Sequence, residues 1–475
     1  MTARDQRLAW LLALAVLVIV GPIVAAPSAQ PASRYALTAA LAEHHTIDIG
    51  RYRHNLGVDH AVYDGRWRSD KPPGQPLFAV PFSTVGRLIG LQPATYLRRG
   101  GDLGMWWVTV WSSMIPFAVI VMMLFGAIRR VAARTAFPVA VAFAGSTLLL
   151  PYGAQLYGHV LAAACAFGAW LVADSARRGD RGRLLAAGAL AGCAFAVEYH
   201  AAIVAVVVAI VVAVRHRRGL WWYALGAVPP LAITALYQWA AFGAPWRLPY
   251  GYYAGVINGS SDGGYAIPSL ASVVRVFTSS NGLLVLTPLA VIAIGASVHV
   301  ALRPGVARVH ALVALAVTVP YIALVAGWSG TALAESPGPR YLIPALPFLA
   351  VPLAVVWDRV RRLAILATGW GALVMAGATF TYMNVGIGEP RISGYVQHLR
   401  AHDFPATLWS IGFGRTGVVL YVTSVAAVVV ALARAAKGTT NACSTDLVPA
   451  ATLACHEYAG AERSQKRETE RETAR

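Results

Sequence analysis

Charged residues are scarce in this sequence. Only 13% of its 475 residues are Asp, Glu, Lys or Arg, whereas 57% are hydrophobic. A soluble domain carries about 25% charged residues, so this composition excludes an ordinary soluble protein. The hydrophobic residues form recurring runs that are too long for barrel strands and do not alternate with polar residues, which is typical of membrane-spanning helices. The sequence therefore predicts an all-α polytopic membrane protein.

Cysteine is also rare, with four residues in the whole chain. Cys165 and Cys193 lie inside apolar runs, where we expect them to pack as small hydrophobic residues. Cys443 and Cys455 lie in a tail that we place in the cytosol, where thiols stay reduced. The pair Cys455-His456 has no recognisable zinc spacing. The cysteines therefore predict no zinc site.

Acidic residues are fewer than basic ones, 21 against 39, which gives a formal net charge of +18. This surplus does not indicate nucleic-acid binding, because most basic residues fall in short breaks between hydrophobic runs, where the positive-inside rule places them. The breaks lie at residues 129–134, 177–183, 215–218, 303–308 and 359–362. Placing them all in the cytoplasm predicts about twelve transmembrane helices, a location in the plasma (inner) membrane, and both termini in the cytoplasm.

This topology divides the chain into four regions. Residues 1–26 form the first transmembrane helix, although the same pattern also fits a secretory signal peptide. Residues 27–103 form a large first extracytoplasmic loop, whose apolar segment 76–90 is expected to lie on the membrane as an interfacial helix. Residues 104–434 form the transmembrane helical domain. Residues 435–475 form a cytoplasmic tail with too little apolar content to fold, which predicts disorder.

The scarce charged residues are concentrated in the first loop, above all in residues 63–74, which read Tyr-Asp-Gly-Arg-Trp-Arg-Ser-Asp-Lys-Pro-Pro-Gly. A carboxylate close to a hydroxyl can act as a general base, and the candidates are Asp48, Asp64 and Asp70. Asp64-Gly65 is also an ordinary signal for a tight turn, and Asp70 with Lys71 can be a simple surface ion pair. For the loop as a whole we favour a catalytic role.

The same loop supplies cations and aromatic rings. Arg34 and Lys71 can hold a phosphate leaving group and neutralise its developing charge. Tyr63 and Trp67 offer flat faces for a sugar ring, and such residues also anchor loops at the membrane interface. These features together are what glycosyl transfer from a lipid phosphate requires.

Two ionisable positions lie within or beside apolar runs. Glu198 interrupts residues 184–214, which are predicted to be two short helices that turn near it as a re-entrant pair. Buried ionisable groups are costly and usually face a cavity or a partner, so Glu198 either contacts substrate or lies at the outer surface. His159 follows Gly158 at the outer end of another helix, where it is either a substrate contact or a hydrogen-bonded structural residue.

A third position, Arg340 with Tyr341, opens a helix at the outer face. A cation at a helix N-terminus opposes the helix dipole. Arg340 therefore either pairs with Glu335 or binds an anion such as phosphate. Tyr341 is a candidate substrate contact beside it.

Several motifs resemble those of GT-C-type membrane glycosyltransferases, the relatives of protein mannosyltransferases and of the aminoarabinose transferase of lipid A. They are Ser33-Arg34-Tyr35-Ala36-Leu37, Thr46-Ile47-Asp48, Tyr63-Asp64-Gly65, Ser69-Asp70-Lys71-Pro72-Pro73-Gly74, Phe242-Gly243-Ala244-Pro245, Ser280-Asn281-Gly282-Leu283 and residues 338–348. The resemblance touches most of residues 10–385. It implies transfer of a sugar, with inversion, from a polyprenyl-phosphate donor to an extracytoplasmic acceptor that is a lipid, a glycan or a protein.

The chain departs from the family pattern at one place. The family carries an acidic pair just before the Arg-Tyr of its first loop and uses that acid as the base, whereas this chain has Pro31 and Ala32 there. The resemblance then implies that the base is one of the remaining loop acids, Asp48, Asp64 or Asp70. It implies that the phosphate ligands are Arg34, Lys71 and Arg340.

Two other functions stay open. A transporter or lipid flippase also has about twelve spans, but it is expected to hold its ionisable residues near the bilayer midplane. A non-catalytic member of a glycan-assembly complex would explain the missing acidic pair. The sequence specifies no cofactor; the loop acids can hold a divalent metal, but their spacing defines no site.

Overall fold

The structure of the protein is a computed structural model that describes residues 2–26, 28–57, 59–91, 101–254, 265–328, 336–386 and 389–445. The part of the tail beyond residue 445, for which disorder is predicted, lies outside the described residues. So does Glu335, one of the two predicted partners of Arg340. Residues 1–432 form one compact unit, and residues 433–475 are a second.

The described part of the chain is mostly helical, with two small sheets of two antiparallel strands each. The helices are α1 (Ala3–Val20), α2 (Ala29–His44), α3 (Gly74–Leu88), α4 (Leu103–Thr109), α5 (Ile115–Val131), α6 (Ala136–Ser146), α7 (Leu149–Gly153), α8 (Gly158–Asp174), α9 (Arg181–Val197), α10 (Ala202–Arg215), α11 (Leu220–Phe242), α12 (Leu270–Thr278), α13 (Leu283–Leu286), α14 (Pro288–Ala301), α15 (Ala307–Gly327), α16 (Leu346–Phe380), α17 (Arg391–Arg400) and α18 (Leu408–Thr445). The strands are β1 (Ile23–Val24), β2 (Ala61–Tyr63), β3 (Arg66–Arg68) and β4 (Ala406–Thr407), paired β1 with β4 and β2 with β3.

Five helical segments among the described residues are long and apolar enough to cross a membrane: Leu103–Val131, Arg217–Phe242, Ala307–Gly327, Arg340–Phe380 and Leu408–Ala436. A sixth candidate is the pair Leu270–Leu286 and Pro288–Ala301, which is bent by 106°. Shorter apolar helices add Ala136–Ser146, Gly158–Asp174 and Tyr199–Arg215. The all-α membrane fold is confirmed. The number of about twelve spans and the orientation of the termini stay predictions.

Helices α9 and α11 pack closely against each other because glycines lie at their contact. A Cβ atom at Gly188 would collide with the carbonyl oxygen of Tyr223, and one at Gly226 would collide with that of Leu185. Small residues permit such close helix approach inside a membrane. The chain then leaves α9 at Glu198, which is extended, and makes a 3₁₀ turn over Tyr199–Ala201 before α10 begins. The two short helices therefore meet at Glu198.

The first loop folds around the β2–β3 hairpin. Asp64 and Gly65 both have positive φ, 51° and 67°, which is the backbone of a two-residue type I′ turn. The strands pair Ala61 with Arg68 and Tyr63 with Arg66. Asp64 is therefore a turn residue in the structure, as the Asp64-Gly65 signal predicts.

Helix α3 starts at Gly74, directly after the two prolines, and covers most of the predicted interfacial segment. A Cβ atom at Gly74 would lie 2.5 Å from both the oxygen of Ala196 and the nitrogen of Val197. Only glycine allows the loop to approach the last turn of α9 so closely. Because α9 ends next to Glu198, this contact places the start of α3 close to Glu198.

Candidate functional site

The centre of the site is a buried ion pair between α2 and the end of α9. Arg34 and Glu198 are 2% and 3% exposed, and Nη2 of Arg34 donates a hydrogen bond of 2.5 Å to Oε1 of Glu198. Gly158, at the start of α8, leaves room for both side chains, since a Cβ atom there would collide with Oε1 of Glu198 and lie 2.9 Å from Nη1 of Arg34. Nε and Nη1 of Arg34 are buried without a hydrogen-bond partner in the part of the chain that the structure describes.

Next to this pair, Lys71 lies between two carboxylates. Its Nζ donates to Oδ1 of Asp59 at 2.9 Å and to Oδ2 of Asp70 at 2.5 Å. Burial alone would lower the pKa of Lys71, but the charges of Asp59 and Asp70 outweigh it and raise that pKa above its usual value, so Lys71 is a cation. The hydroxyl of Ser33 donates to Oδ1 of Asp70 at 2.8 Å. Ser33 directly precedes Arg34 in α2. Its hydrogen bond to Asp70 therefore links the Arg34–Glu198 pair to the Lys71 cluster.

Arg340 is far from these residues in the sequence, and its side chain is also buried. Its guanidinium donates to the hydroxyl of Ser336 and lies 5.4 Å from the centre of the Tyr341 ring. Its Nε has no hydrogen-bond partner among the described residues. The preceding loop is fixed by Asn281, whose Oδ1 accepts from the backbone N–H of Gly338 at 2.7 Å. Two of the motifs singled out in the sequence are thus in contact.

Two imidazoles complete the site. Nδ1 of His159 lies 3.4 Å from Oε1 of Glu198, and Nε2 of His200 lies 3.6 Å from Oε2. The ring of Tyr341 makes edge contacts with both, at centroid distances of 5.7 Å and 5.0 Å. His159, Glu198 and Tyr341, which the sequence predicted as substrate contacts, are therefore neighbours in space.

The other predicted site residues have local roles in the first loop. Asp48 accepts a hydrogen bond of 2.9 Å from the backbone of Gly50, and its side chain is 37% exposed. Asp64 is an exposed turn residue. Among the described residues neither acid forms a hydrogen bond or ion pair with Lys71. The structure thus brings together Asp70, Lys71, Arg34 and Arg340, and leaves Asp48 and Asp64 outside this group.

The two predicted aromatic contacts also pack locally. Tyr63 accepts a hydrogen bond of 2.9 Å from Arg247 and makes an edge contact with Tyr252, with ring centroids 5.0 Å apart. Trp67 stacks on His60, with ring centroids 3.9 Å apart. Both aromatic residues brace the hairpin that carries the charged loop.

Asp59 is the functional candidate that the sequence reasoning missed. The signal for it was present in the Asp64-Gly65 turn, which predicts a hairpin. In the register of that hairpin, Ala61 faces Arg68, so continuing the same register places Asp59 opposite Asp70. His200 was missed as a site residue as well, although it stands two positions after Glu198 in the same interruption of an apolar run.

Comparisons with known proteins bear on the fold. No family model matches the chain, and no curated protein matches it. The crystal structure of ArnT from Cupriavidus metallidurans bound to undecaprenyl phosphate is similar with a TM-score of 0.52 and 16% identity, over 92% of this chain and 76% of that one.

A crystal structure of the Archaeoglobus fulgidus oligosaccharyltransferase is similar at a TM-score of 0.47 and 13% identity, over 85% of this chain and 55% of that one. The first of the two similarities shows the fold. The chain therefore has the fold of ArnT, which is an enzyme of the GT-C type that its motifs resemble.

Proposed function

We propose that this protein is a membrane glycosyltransferase that moves a sugar from a polyprenyl-phosphate donor to an extracytoplasmic acceptor. The observation that carries the proposal is the set of three buried cations, Arg34, Lys71 and Arg340. All three lie close enough to Glu198 to act on it electrostatically. Their positive charges therefore act together on one buried carboxylate, next to a loop that has the sequence pattern of GT-C enzymes.

Two of these cations, Arg34 and Arg340, carry unpaired donors that fit a phosphate. Nε and Nη1 of Arg34 and Nε of Arg340 are buried without a partner among the described residues. Leaving such donors unsatisfied is costly, and a guanidinium matches the oxygens of a phosphate in geometry and charge. When the bond between the sugar and the phosphate breaks, the phosphate gains negative charge, which fixed cations stabilise. The ArnT structure with undecaprenyl phosphate supports a lipid phosphate as the partner.

The acceptor hydroxyl must lose a proton during transfer, which requires a base. Both oxygens of Asp70 are already engaged, Oδ1 by Ser33 and Oδ2 by Lys71. Asp59 uses only Oδ1 toward Lys71 among the described residues, and its side chain is 13% exposed against 4% for Asp70. We therefore assign the general base to Asp59 and the positioning of Lys71 to Asp70. This assignment replaces the carboxylate that is missing at Pro31 and Ala32.

Turnover measurements on purified protein in nanodiscs, with a panel of radiolabelled polyprenyl-phosphate sugars and acceptors, test this function. We expect Asp59→Asn to lower kcat by about 10²-fold to 10⁴-fold, as for the loss of a general base, with little change in the KM for the donor. We expect Asp70→Asn to raise that KM, because Lys71 loses one of its two supports. Asp64→Asn is the matched control, since Asn also suits the turn, and its rate is expected to equal that of wild type.

The alternatives give different results in the same assay. Wild-type rates from both Asp59→Asn and Asp70→Asn would contradict the assignment of the base. Saturable donor binding without turnover would favour the non-catalytic member of a glycan-assembly complex. Flux of an intact substrate into proteoliposomes, without a covalent product, would favour the transporter.

A further inference from the structure

We propose that His159, Glu198 and His200 bind a divalent transition-metal ion of the zinc class. Each of the three side chains offers one ligand atom, and these atoms all lie within 4.8 Å of one another. The three residues come from the start of α8 and from the break between α9 and α10, so the fold itself brings them together. None of them belongs to the loop acids in which the sequence left room for a metal.

The first argument is the state of the ring nitrogens. His159 is 1% exposed, and neither of its ring nitrogens has a hydrogen-bond partner among the described residues. Nε2 of His200 is buried without a partner in the same set. Buried polar atoms are nearly always paired, so two imidazoles that face one carboxylate with three unpaired nitrogens need a ligand. A single metal ion can accept a lone pair from both rings at once. No single hydrogen-bond donor described in this cluster donates to both rings.

The second argument is distance. The separations of 3.4 Å and 3.6 Å between the Glu198 oxygens and the imidazole nitrogens exceed the usual hydrogen-bond length of about 2.9 Å. Two ligands on one tetrahedral zinc ion, at bond lengths of about 2.0–2.1 Å, lie about 3.3 Å apart. These two distances end on different oxygens of Glu198, Oε1 for His159 and Oε2 for His200. With one ligand atom from each residue, all three atoms lie within 4.8 Å of one another, so a small shift of the side chains brings them onto a common ion.

Outer contacts hold the ligands in the orientation that a metal requires. Nδ1 of His200 lies 3.3 Å from the hydroxyl of Tyr321, which also donates to the His200 carbonyl at 3.1 Å. This contact occupies Nδ1 and leaves Nε2 for the ion. Arg34 holds the Glu198 carboxylate through Oε1, while Oε2 faces His200. Metal-binding His and carboxylate side chains are typically fixed by such partners.

The charge balance also permits a cation. The three cations Arg34, Lys71 and Arg340 stand beside three carboxylates, those of Asp59, Asp70 and Glu198. Their formal charges are three positive and three negative, so a divalent ion adds a net positive formal charge to this cluster of residues. If the proposed function holds, that charge complements the phosphate of the donor. The choice of metal follows from the ligands, because two imidazoles with one carboxylate suit zinc, whereas calcium and magnesium prefer oxygen ligands.

The test is direct metal binding by the full-length protein, purified without a histidine tag and freed of metal with a chelator. Zn²⁺ is added, and the ion retained per chain is measured by plasma mass spectrometry; Co²⁺ is added separately, and its visible absorption reports imidazole ligation. We expect one ion per chain for wild type. We expect at least about tenfold weaker binding for His159→Ala, for His200→Ala and for Tyr321→Phe. His402→Asn is the control, since His402 is exposed with a positive φ that Asn tolerates.

The outcomes separate this inference from the proposed function. Wild-type protein that retains no more Zn²⁺ than the two His→Ala variants, or shows no cobalt band, overturns the metal site whether or not the variants fold. Zinc binding that is lost in both His variants but kept in His402→Asn supports the site. Metal binding without turnover supports the metal site and counts against the proposed glycosyltransferase. Full turnover by a wild-type protein that binds no metal supports the glycosyltransferase and overturns the metal site.

Discussion

Replacing Lys71 with Met is expected to lower kcat/KM for transfer by at least about 10³-fold, because it removes a proposed phosphate ligand and the partner of two buried carboxylates at once. Asp70, with a side chain 4% exposed, keeps only the hydroxyl of Ser33 among the side-chain contacts described for it. Removing one partner of a buried ion pair typically costs about 3–5 kcal/mol of stability. The variant is therefore also expected to unfold at a lower temperature, which a thermal melt in nanodiscs measures beside the rate.

A double variant separates the two effects of Lys71. In Lys71→Met with Asp70→Asn, the unpaired charge of Asp70 is gone and only that of Asp59 remains, so we expect the melting temperature to recover partly while transfer stays lost. Donor binding should remain weak in the double variant, since the cation is still missing. Recovery of transfer together with stability would show that Lys71 serves the fold alone, and would contradict its role as a phosphate ligand.

Arg34→Met is expected to have the second largest effect. It leaves the carboxylate of Glu198, 3% exposed, without the guanidinium that lies 2.5 Å away. The expected loss is about 3–5 kcal/mol in the free energy of unfolding. The variant also lacks the two buried donors, Nε and Nη1, that we assign to the phosphate, so the affinity for a polyprenyl phosphate is expected to fall at least tenfold, about the value of one hydrogen bond to a charged group.

A double-mutant cycle tests this pair. Adding Glu198→Gln to Arg34→Met removes the unpaired charge, so the double variant should be more stable than Arg34→Met alone. The control is Arg183→Met, which breaks the ion pair with Asp180 whose side chains are 49% and 30% exposed, and an exposed pair contributes about 1 kcal/mol or less. Equal losses for Arg34→Met and Arg183→Met would contradict the central place of the Arg34–Glu198 pair.

Local chemistry explains what could be predicted from the sequence. Asp64-Gly65 specifies a type I′ turn, because few residues tolerate two positive φ angles in succession, and the structure has that turn. The low charge and long apolar runs specify membrane helices, and the described residues are mostly helical. Glu198 is predicted as a site residue because an ionisable residue in an apolar run needs a partner. Each of these predictions uses neighbouring residues only.

Contacts between distant segments could not be predicted in this way. Arg34 and Glu198 are 164 positions apart, and their pairing depends on Gly158 and on how closely α9 packs against α11. No local pattern encodes that packing. Asp59 is an intermediate case: the hairpin register, continued past the strands, places it opposite Asp70, but composition alone does not distinguish it from the other acids of the loop. The predicted number of spans depends on the basic breaks alone, and such breaks do not distinguish short re-entrant helices from full spans.

The most direct test of a lipid-phosphate site compares the binding of a polyprenyl phosphate with that of the matching polyprenyl alcohol to the purified protein in nanodiscs. Arg340→Met serves as the site variant, because Arg340 is buried with an unpaired Nε. We predict saturable binding of the phosphate, at least tenfold weaker binding of the alcohol, and a similar loss for the phosphate in Arg340→Met, about the value of a charged hydrogen bond. Equal affinity for phosphate and alcohol, or wild-type affinity in Arg340→Met, would contradict the account.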